Sequence, residues 1–380
     1  MRNTLVVAAV GALTACAWQV LVAHYLYGGN CTGLFLTGER FPPPPPLAAE
    51  IRRSPGDGYD GQFYHYIAHD PWFRRGFAPY IDAPRLRYRR MLLPALANLL
   101  AAGQDRYIDR TYIALVLLGI FLGIWWTGAF AHLHGSSPWL GLGFLLAPGV
   151  MISIDRLVVD GMLATACAGF LWFLETDPGW PLYIVLLAAA LVRETGLLLS
   201  ASYIAALLWE RRWRRAAAFL TSALPAAAWF WWVARHTSPE GTPWFHDLPL
   251  AGYLHQLLHP NSYPLGSSAA LAVVILDYAA LAGVALAGYY ALRSLRRKTL
   301  SPDTIAIVCF AALACLLPSG DFWSDPDGYG RILTPLVLLL ALEALRRRQA
   351  AMALPMLLVS ARLAVQFAGL AVRMVKGLPS

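Results

Sequence analysis

Charged residues are scarce in this 380-residue sequence. Asp, Glu, Lys and Arg make up only 14% of it, whereas soluble globular domains contain roughly 25%. Hydrophobic residues reach 58%, and several apolar runs approach the ~20 residues that cross a membrane as a helix. The alternating ten-residue pattern of a transmembrane barrel is absent. The sequence therefore predicts an all-α polytopic membrane protein with a single domain over residues 1–380.

Cysteine and lysine are also rare. The five cysteines show no metal-ligand spacing and lie mostly in apolar runs, so they do not indicate a disulfide framework or a cysteine zinc site. Nearly all of the thirty basic residues are arginines, and the formal net charge is +8. In a membrane protein, such an excess indicates topology and contact with anionic membrane lipids rather than nucleic-acid binding.

The hydropathy pattern predicts about eleven transmembrane helices. Residues 28–90 would form a long first outer loop, and residues 236–267 a second one. A short apolar stretch at 91–102 is expected to be a half-helix or to lie along the membrane surface. The predicted spans are 4–27, 107–131, 137–152, 159–175, 180–193, 195–209, 214–235, 268–292, 303–318, 331–346 and 351–372.

Basic clusters at helix ends predict the orientation. Residues 211–215, 293–298 and 346–348 are rich in arginine and follow alternate spans, which places them together on the cytoplasmic face. The 28–90 loop then lies outside, although it contains nine arginines. An anionic ligand such as a lipid phosphate would explain arginines on that side.

Charged residues interrupt the apolar pattern in five segments, all on the outer side in this topology. Charge beside or within a membrane is costly and is a functional hypothesis by default. A carboxylate can remove a proton from a hydroxyl group, and arginines can hold a phosphate through forked hydrogen bonds. The combination is suited to sugar transfer from a lipid phosphate. The segments are 57–60, 85–90, 153–161, 193–194 and 321–331.

Four of the segments also have a structural interpretation. The aspartates at 57 and 60 could cap turns, the arginines of 85–90 could anchor to lipid headgroups, and the charges at 155–160 and 193–194 could be neutralised ion pairs. The histidines are expected at the surface or in an aromatic belt rather than as metal ligands; these are His65, His69, His246, His255 and His259.

The segment Tyr59 to Tyr64, followed by Ile67-Ala68, resembles a family signature. The signature is the "Trp-Asp-x-x-x-Tyr/Phe…Ile-Ala" motif of the glycosylphosphatidylinositol mannosyltransferases and their bacterial relatives, which belong to the GT-C superfamily of membrane glycosyltransferases. In that family the motif lies in the first outer loop and its aspartate is catalytic. Asp60 occupies that position, and Tyr59 replaces the tryptophan.

Four later segments are similar to the family's motifs in the same order. Asp160 stands where the family has a glutamate, and the extra arginines at 85–90 are a departure that suggests a bacterial branch. The resemblance covers roughly residues 57–200 and 329–335. The segments are Arg90 to Pro94, Ala147 to Asp160, Leu191 to Gly196 and Tyr329 to Pro335.

The resemblance implies a GT-C type bundle in a bacterial inner membrane, with the active site facing outward. The enzyme would transfer a sugar from a polyprenyl-phosphate donor to a glycan, lipid or protein acceptor, with inversion. Asp60 would be the general base, and Asp57 and Asp160 auxiliary carboxylates. The expected substrate-binding residues are Gln62, Tyr64, Arg87, Arg89, Arg90, Asp155, Arg156, Arg193, Glu194 and Arg331.

A cofactor and two rival functions stay open. Asp60 with Asp155 or Asp160 could hold a divalent cation, Mg²⁺ or Mn²⁺, although nothing in the sequence requires one. A transporter or flippase of polyprenyl-linked glycans would use the same charges along a path, and it predicts pseudo-symmetric halves, which are not visible. A non-catalytic partner in envelope polysaccharide assembly predicts that Asp60→Asn leaves the phenotype intact.

Overall fold

A computed structural model describes residues 2–239, 247–296 and 301–377. Across these ranges the regular elements are α-helices and short 3₁₀ turns, and one isolated bridge joins Thr37 to Arg53. The all-helical class predicted from composition is confirmed. The helices of the N-terminal half are α1 Arg2–Tyr27, α2 Gly61–His69, α3 Pro84–Arg87, α4 Leu92–Leu100, α5 Asp105–Leu133, α6 Pro148–Arg156, α7 Asp160–Thr176 and α8 Trp180–Val192.

The C-terminal half continues the bundle. Its helices are α9 Leu197–Trp209, α10 Trp213–Leu220, α11 Leu224–His236, α12 Ala251–Leu258, α13 Ser267–Leu295, α14 Pro302–Cys315, α15 Asp321–Ser324, α16 Pro326–Arg347 and α17 Leu354–Lys376.

Six helical segments of the described chain are long and apolar enough to cross a membrane. A seventh is possible if the 3₁₀ helix Pro138–Leu146 and α6, which are bent by 66° at their junction, count as one span. The integral membrane character is therefore supported, while the expected count of eleven is not confirmed. The six segments are Arg2–Tyr27, Asp105–Leu133, Trp213–His236, Ser267–Leu295, Pro326–Arg347 and Ala350–Lys376.

Helix α16 is the centre of the bundle. Its apolar window is 83% buried, far more than those of the other long segments, and it packs against α6, α7, α14 and α17. Pro335 lies inside α16 and has no N–H to donate to the carbonyl of Arg331, one turn earlier. The backbone of the central helix is therefore loosened next to a charged side chain.

The two ends of α16 differ in chemistry. Its N-terminal turns hold Asp327 and Arg331, and its C-terminal turn holds Arg346 and Arg347. At 1.5 Å per residue, these ends are roughly 30 Å apart, about the thickness of the hydrocarbon core. Near the second end, Arg293, Arg296 and Arg347 line one cleft of about 300 Å³. Two of the three basic clusters predicted on one face therefore meet.

The segment between α1 and α5 folds against the N-terminal end of α16. The expected short apolar helix at 91–102 is present as α4. Every residue of α2 is buried, so this segment is an ordered layer of short helices rather than an open loop. Its packing is tight at Gly61, where an added Cβ would lie 2.1 Å from the carbonyl oxygen of Arg156. Only glycine allows α2 to begin so close to the end of α6.

Candidate functional site

Asp60 immediately precedes α2, and two arginines hold its carboxylate. Arg87 Nη2 donates to Asp60 Oδ1 at 2.7 Å, and Arg87 Nη1 lies 2.5 Å from Oδ2. Arg331, from the central helix, forms an ion pair with the same Oδ2. Burial raises the pKa of the Asp60 carboxyl, but Arg331 and Arg87 lower it by more than burial raises it. The pKa of Asp60 therefore lies well below the usual range. Asp60 is therefore ionised at neutral pH.

Arg87 bridges two carboxylates. Its Nε and Nη2 atoms donate to Asp82 Oδ1 and Oδ2, both at 2.9 Å, while its Nη atoms face Asp60. The guanidinium also lies 5.1 Å from the ring centre of Phe63. Asp82 was not among the predicted site residues, because its only sequence signal is a carboxylate five residues before Arg87.

Arg90 forms the second part of the site. Its Nε and Nη2 atoms donate to both carboxylate oxygens of Glu194, at 2.9 and 2.6 Å, and its Nη1 donates to the hydroxyl of Tyr64 at 2.9 Å. This forked geometry is the strong arrangement for arginine and carboxylate. It joins α2, the segment before α4 and the break between α8 and α9.

Asp160 and Arg193 form a buried ion pair. Asp160 begins α7, where the helix dipole favours a negative charge, and Arg193 follows the end of α8. Both residues are at most 4% exposed. Removing one partner of a buried ion pair is strongly destabilising, so this pair also fixes how the start of α7 packs against the end of α8.

Tyr59 lies between two guanidinium groups. Arg156 is 4.2 Å from the ring centre of Tyr59, and Arg331 is 5.1 Å from it. Arg156 also contacts Asp327 at 2.7 Å and Asp155 at 3.4 Å. Cation–π contacts of this kind hold a guanidinium over an aromatic face, so the tyrosine in the tryptophan position of the motif places Arg331 beside Asp60.

Asp57 and Gln62 are placed differently from these residues. The side chain of Asp57 is 73% exposed and pairs loosely with Arg40 at 3.4 Å. Gln62 accepts from the backbone N–H of Gly38 at 3.2 Å and donates to the carbonyl of Asp57 at 3.3 Å. Gln62 therefore holds the loop that precedes α2, and the Asp57 carboxylate does not join the Asp60 cluster, defined here as Asp60, Arg87 and Arg331.

A cavity of about 260 Å³ lies beside the Asp60 cluster. Its polar end contains Arg89, Arg193, Glu194 and Thr195, and its other wall is apolar. Leu86 and Ile332, which also line it, are the chain neighbours of Arg87 and Arg331. The apolar wall comes from the end of α14 and the residues after it: Leu313, Leu316, Leu317 and Pro318.

Arg89 is the cavity's distinctive cation. Its guanidinium lies 5.5 Å from the ring centre of Phe230, and its buried Nε has no hydrogen-bond partner within the described ranges. The other arginines of the site each contact a carboxylate. Arg89 has no carboxylate partner among the described residues, and a guanidinium that lines an apolar cavity can bind an anion that is attached to a hydrocarbon chain.

Residues from all five charged segments meet in the described part of the chain, apart from Asp57, while their predicted position on the outer face stays a prediction. Their side chains form three groups of ion pairs, and tyrosines link these groups. Tyr59 contacts Arg156 and Arg331, and Tyr64 contacts Arg87 and Arg90. The groups are Asp60 with Arg87, Asp82 and Arg331; Arg90 with Glu194, Arg193 and Asp160; and Arg156 with Asp155 and Asp327. Asp82 and the α14 wall were missed. Asp327 lies in the predicted segment 321–331, but its contact with Arg156 was not predicted, since the two residues are distant in sequence. The catalytic and binding roles assigned to the network stay predictions.

The histidine prediction was partly wrong. His255 and His259 are exposed, as expected, and His246 lies outside the described residues. His65 and His69, however, are buried on α2 at 1% and 3% exposure. Together with Asp109 they are the one described group of three residues whose ligand atoms lie within metal-binding range of each other.

The carboxylates suggested for a divalent cation are occupied differently. Asp60 contacts two arginines and Asp160 contacts Arg193, so positive side chains already lie where such a cation would bind. A Mg²⁺ or Mn²⁺ site at Asp60 stays a prediction.

Comparisons of the chain with protein-family models, curated proteins and solved structures gave no match. The resemblance to the GT-C superfamily therefore stays a prediction from the sequence motifs.

Proposed function

We propose that this protein is a GT-C type glycosyltransferase that transfers a sugar from a polyprenyl-phosphate donor to a glycan, lipid or protein acceptor. The main support is the Arg89 cavity, which is the cavity of about 260 Å³ lined by Arg89 at one side and by the apolar residues at the end of α14 at the other. Its cationic end and apolar wall match a phosphate attached to a hydrocarbon chain, and two of its lining residues adjoin the arginines that hold Asp60.

The donor's parts have matching surroundings. Its phosphate would bind Arg89, and its first isoprene units would lie along Leu313, Leu316 and Leu317. The C1 carbon of the sugar would then point toward the Asp60 cluster. The surrounding arginines would stabilise the negative charge that grows on the leaving phosphate.

Asp60 would act as the general base. In the transfer step, the acceptor hydroxyl oxygen attacks C1 and its proton passes to the Asp60 carboxylate. The C1–O bond to the phosphate breaks, its electron pair stays on the phosphate oxygen, and polyprenyl phosphate leaves. Attack from the face opposite the phosphate inverts the configuration at C1.

The arginines around Asp60 would also regulate its basicity. While Arg331 and Arg87 hold the carboxylate, its low pKa makes it a weak base. A donor phosphate that draws Arg331 away would remove the cation that lowers this pKa most, and the remaining burial would raise the pKa toward that of a useful base. The base would therefore be activated only when the donor is bound.

The proposal includes a topology with eleven spans. The six long segments, the bent pair, α7, α8, α9 and α14 would together supply them, with the shorter helices tilted or buried in the bundle. The basic cleft of Arg293, Arg296 and Arg347 would face the cytoplasm. The Asp60 cluster, at the opposite end of α16, would then face outward from a bacterial inner membrane.

The test is sugar transfer by the purified chain from a panel of polyprenyl-phosphate sugars. Asp60→Asn should abolish transfer, and Asp57→Asn is the matched control, because it changes an exposed aspartate three positions away. Equal turnover by wild type and Asp60→Asn would exclude Asp60 as the base. Movement of the labelled lipid across vesicles without transfer would favour the flippase instead.

A further inference from the structure

Two pairs of potential metal ligands face each other along the second half of α2, which follows Asp60. His65 and His69 are four residues apart on α2, and Asp105 and Asp109 are four residues apart at the start of α5. This spacing places each pair on a single helix face. The two faces meet where α2 packs against α5.

One carboxylate oxygen contacts two imidazole rings. Asp109 Oδ1 lies 2.7 Å from Nε2 of His65 and 3.1 Å from Nε2 of His69. The ligand atoms of the three residues all lie within 4.8 Å of one another. Both histidine side chains are only 2% exposed, whereas that of Asp109 is 20% exposed, so the group is enclosed on one side and open on the other.

A neutral imidazole cannot satisfy these contacts alone. His69 also places Nδ1 at 2.7 Å from Asp105 Oδ1, so both of its nitrogens face carboxylates, and a neutral ring has one N–H only. Among the residues that the structure describes, neither ring nitrogen of His65 has a hydrogen bond of acceptable geometry. These contacts therefore require added positive charge at the group, either a second proton on a ring or a bound cation.

We propose that His65 Nε2, His69 Nε2 and Asp109 Oδ1 bind a first-row divalent metal ion of the zinc type. Two imidazoles and a carboxylate suit such an ion, and three protein ligands leave a fourth position for water. The more exposed side of Asp109 provides access for that water.

The surrounding residues match the second shell of a metal site. With Nε2 on the metal, the Nδ1–H of His69 donates to Asp105, which fixes the tautomer of the ring. Arg75 in turn holds Asp105 through two contacts of 2.6 and 3.0 Å. The ring of His65 is stacked on Phe35, with centroids 4.2 Å apart and planes 8° apart.

The metal would attach α2 to α5. Asp60 precedes α2, and the ligands His65 and His69 follow it by five and nine residues, roughly 8 and 13 Å along the helix. The site is therefore separate from the transfer step, and the proposal does not depend on it. Its effect would be to fix the helix that presents Asp60.

The experiment uses the full-length chain, purified in detergent, stripped with a chelator and titrated with Zn²⁺ and with Co²⁺. We expect one bound equivalent and the visible absorption bands of tetrahedral Co²⁺. His69→Ala and the isosteric Asp109→Asn should lose the saturable binding. Asp105→Asn should weaken it by about 10- to 100-fold, as second-shell changes do.

The matched control is the double variant His255→Ala/His259→Ala. These histidines have the same spacing, at His255 in α12 and at His259 directly after it, but they are exposed. Among the described residues no carboxylate contacts their stacked rings. The control should keep the wild-type stoichiometry and spectrum. Gel filtration and circular dichroism verify that each variant is folded. Absence of saturable binding in the wild type, or full binding in folded Asp109→Asn, would overturn the proposal whatever the transfer assay shows.

Discussion

Arg331 of the central helix forms an ion pair with Asp60 at the start of α2, although the two residues come from opposite ends of the chain. Arg331 also contacts the ring of Tyr59, the residue before Asp60. The pair joins the most buried of the long helices to the layer of short helices between α1 and α5. Its charge balance controls both the local stability and the ionisation of Asp60.

Replacing Asp60 with asparagine should destabilise the protein. Arg87 and Arg331 would then remain buried without their shared carboxylate, and loss of one partner from a buried pair costs about 3 to 5 kcal/mol. Thermal unfolding in detergent at pH 7 measures this. Asp57→Asn should change the stability by less than about 1 kcal/mol, since its pair with Arg40 is exposed. Equal stabilities of the two variants would contradict the prediction.

Acid should remove the same stabilisation. The pKa of Asp60 is depressed in the folded protein, so the stability that it contributes is fully present above the unfolded pKa of about 4. It is lost as the pH falls below that value through the folded pKa. The unfolding temperatures of wild type and Asp60→Asn should therefore converge in this acidic range. A constant difference between them down to pH 3 would argue against an Asp60 carboxylate held by arginines.

Arg89 should determine donor affinity rather than the chemical step. A charged hydrogen bond contributes about 1.5 to 3 kcal/mol, so Arg89→Gln should raise the KM for the polyprenyl-phosphate donor about 10- to 100-fold. The kcat should change little, because Asp60 and its arginines are intact. Steady-state kinetics and direct binding of polyprenyl phosphate test this. Arg40→Gln, at an exposed arginine, is the control, and a fall in kcat at unchanged KM would place Arg89 in the chemical step.

Gly61 should tolerate no side chain. In Gly61→Ala the new Cβ would meet the carbonyl oxygens of Arg156 and Phe35 at 2.1 and 2.8 Å, and backbone atoms cannot move as a flexible side chain can. We expect a loss of about 1 to 3 kcal/mol and a displaced Asp60. Gly288→Ala on α13, where nothing lies within 4 Å, should stabilise its helix by up to about 1 kcal/mol. Unfolding curves of both variants decide the point.

The sequence predicted the helical class, and it predicted that most of the charged segments would meet. Hydropathy is a local property that can be read directly from the sequence. Charged residues in an apolar membrane chain are costly unless they pair with one another, so both conclusions could be predicted. The number of membrane spans was harder to predict. Helices α8, α9 and α14 are apolar, but they are too short for their length alone to show whether they cross the membrane.

The sequence alone could not show which of two aspartates three residues apart, Asp57 and Asp60, points into the protein. Gly58 lies between them with φ of +77°, a conformation that favours glycine. The turn leaves Asp57 in solvent and directs Asp60 inward. Only the family resemblance predicted a catalytic role for Asp60 rather than Asp57, because the two residues are chemically identical.

The histidines were misjudged for a different reason. The four-residue spacing of His65 and His69 is visible in the sequence, as is that of Asp105 and Asp109. Nothing local shows that these two helix faces pack together, since α4 and its flanking turns intervene. Pairing across helices is a tertiary property, and the same limit hid Asp327 as the partner of Arg156.

The apolar wall of the Arg89 cavity gives a prediction about the donor's hydrocarbon chain. Leu316 lines the cavity and is 43% exposed, so Leu316→Trp should fill part of the space at little cost in stability. If the first isoprene units lie there, KM should rise most for long polyprenyl donors and least for a donor with a short tail. Leu292→Trp, at a 67% exposed position on α13, should leave the KM unchanged for both long-tailed and short-tailed donors. A uniform KM increase for all tail lengths would mean that the chain leaves the cavity by another wall.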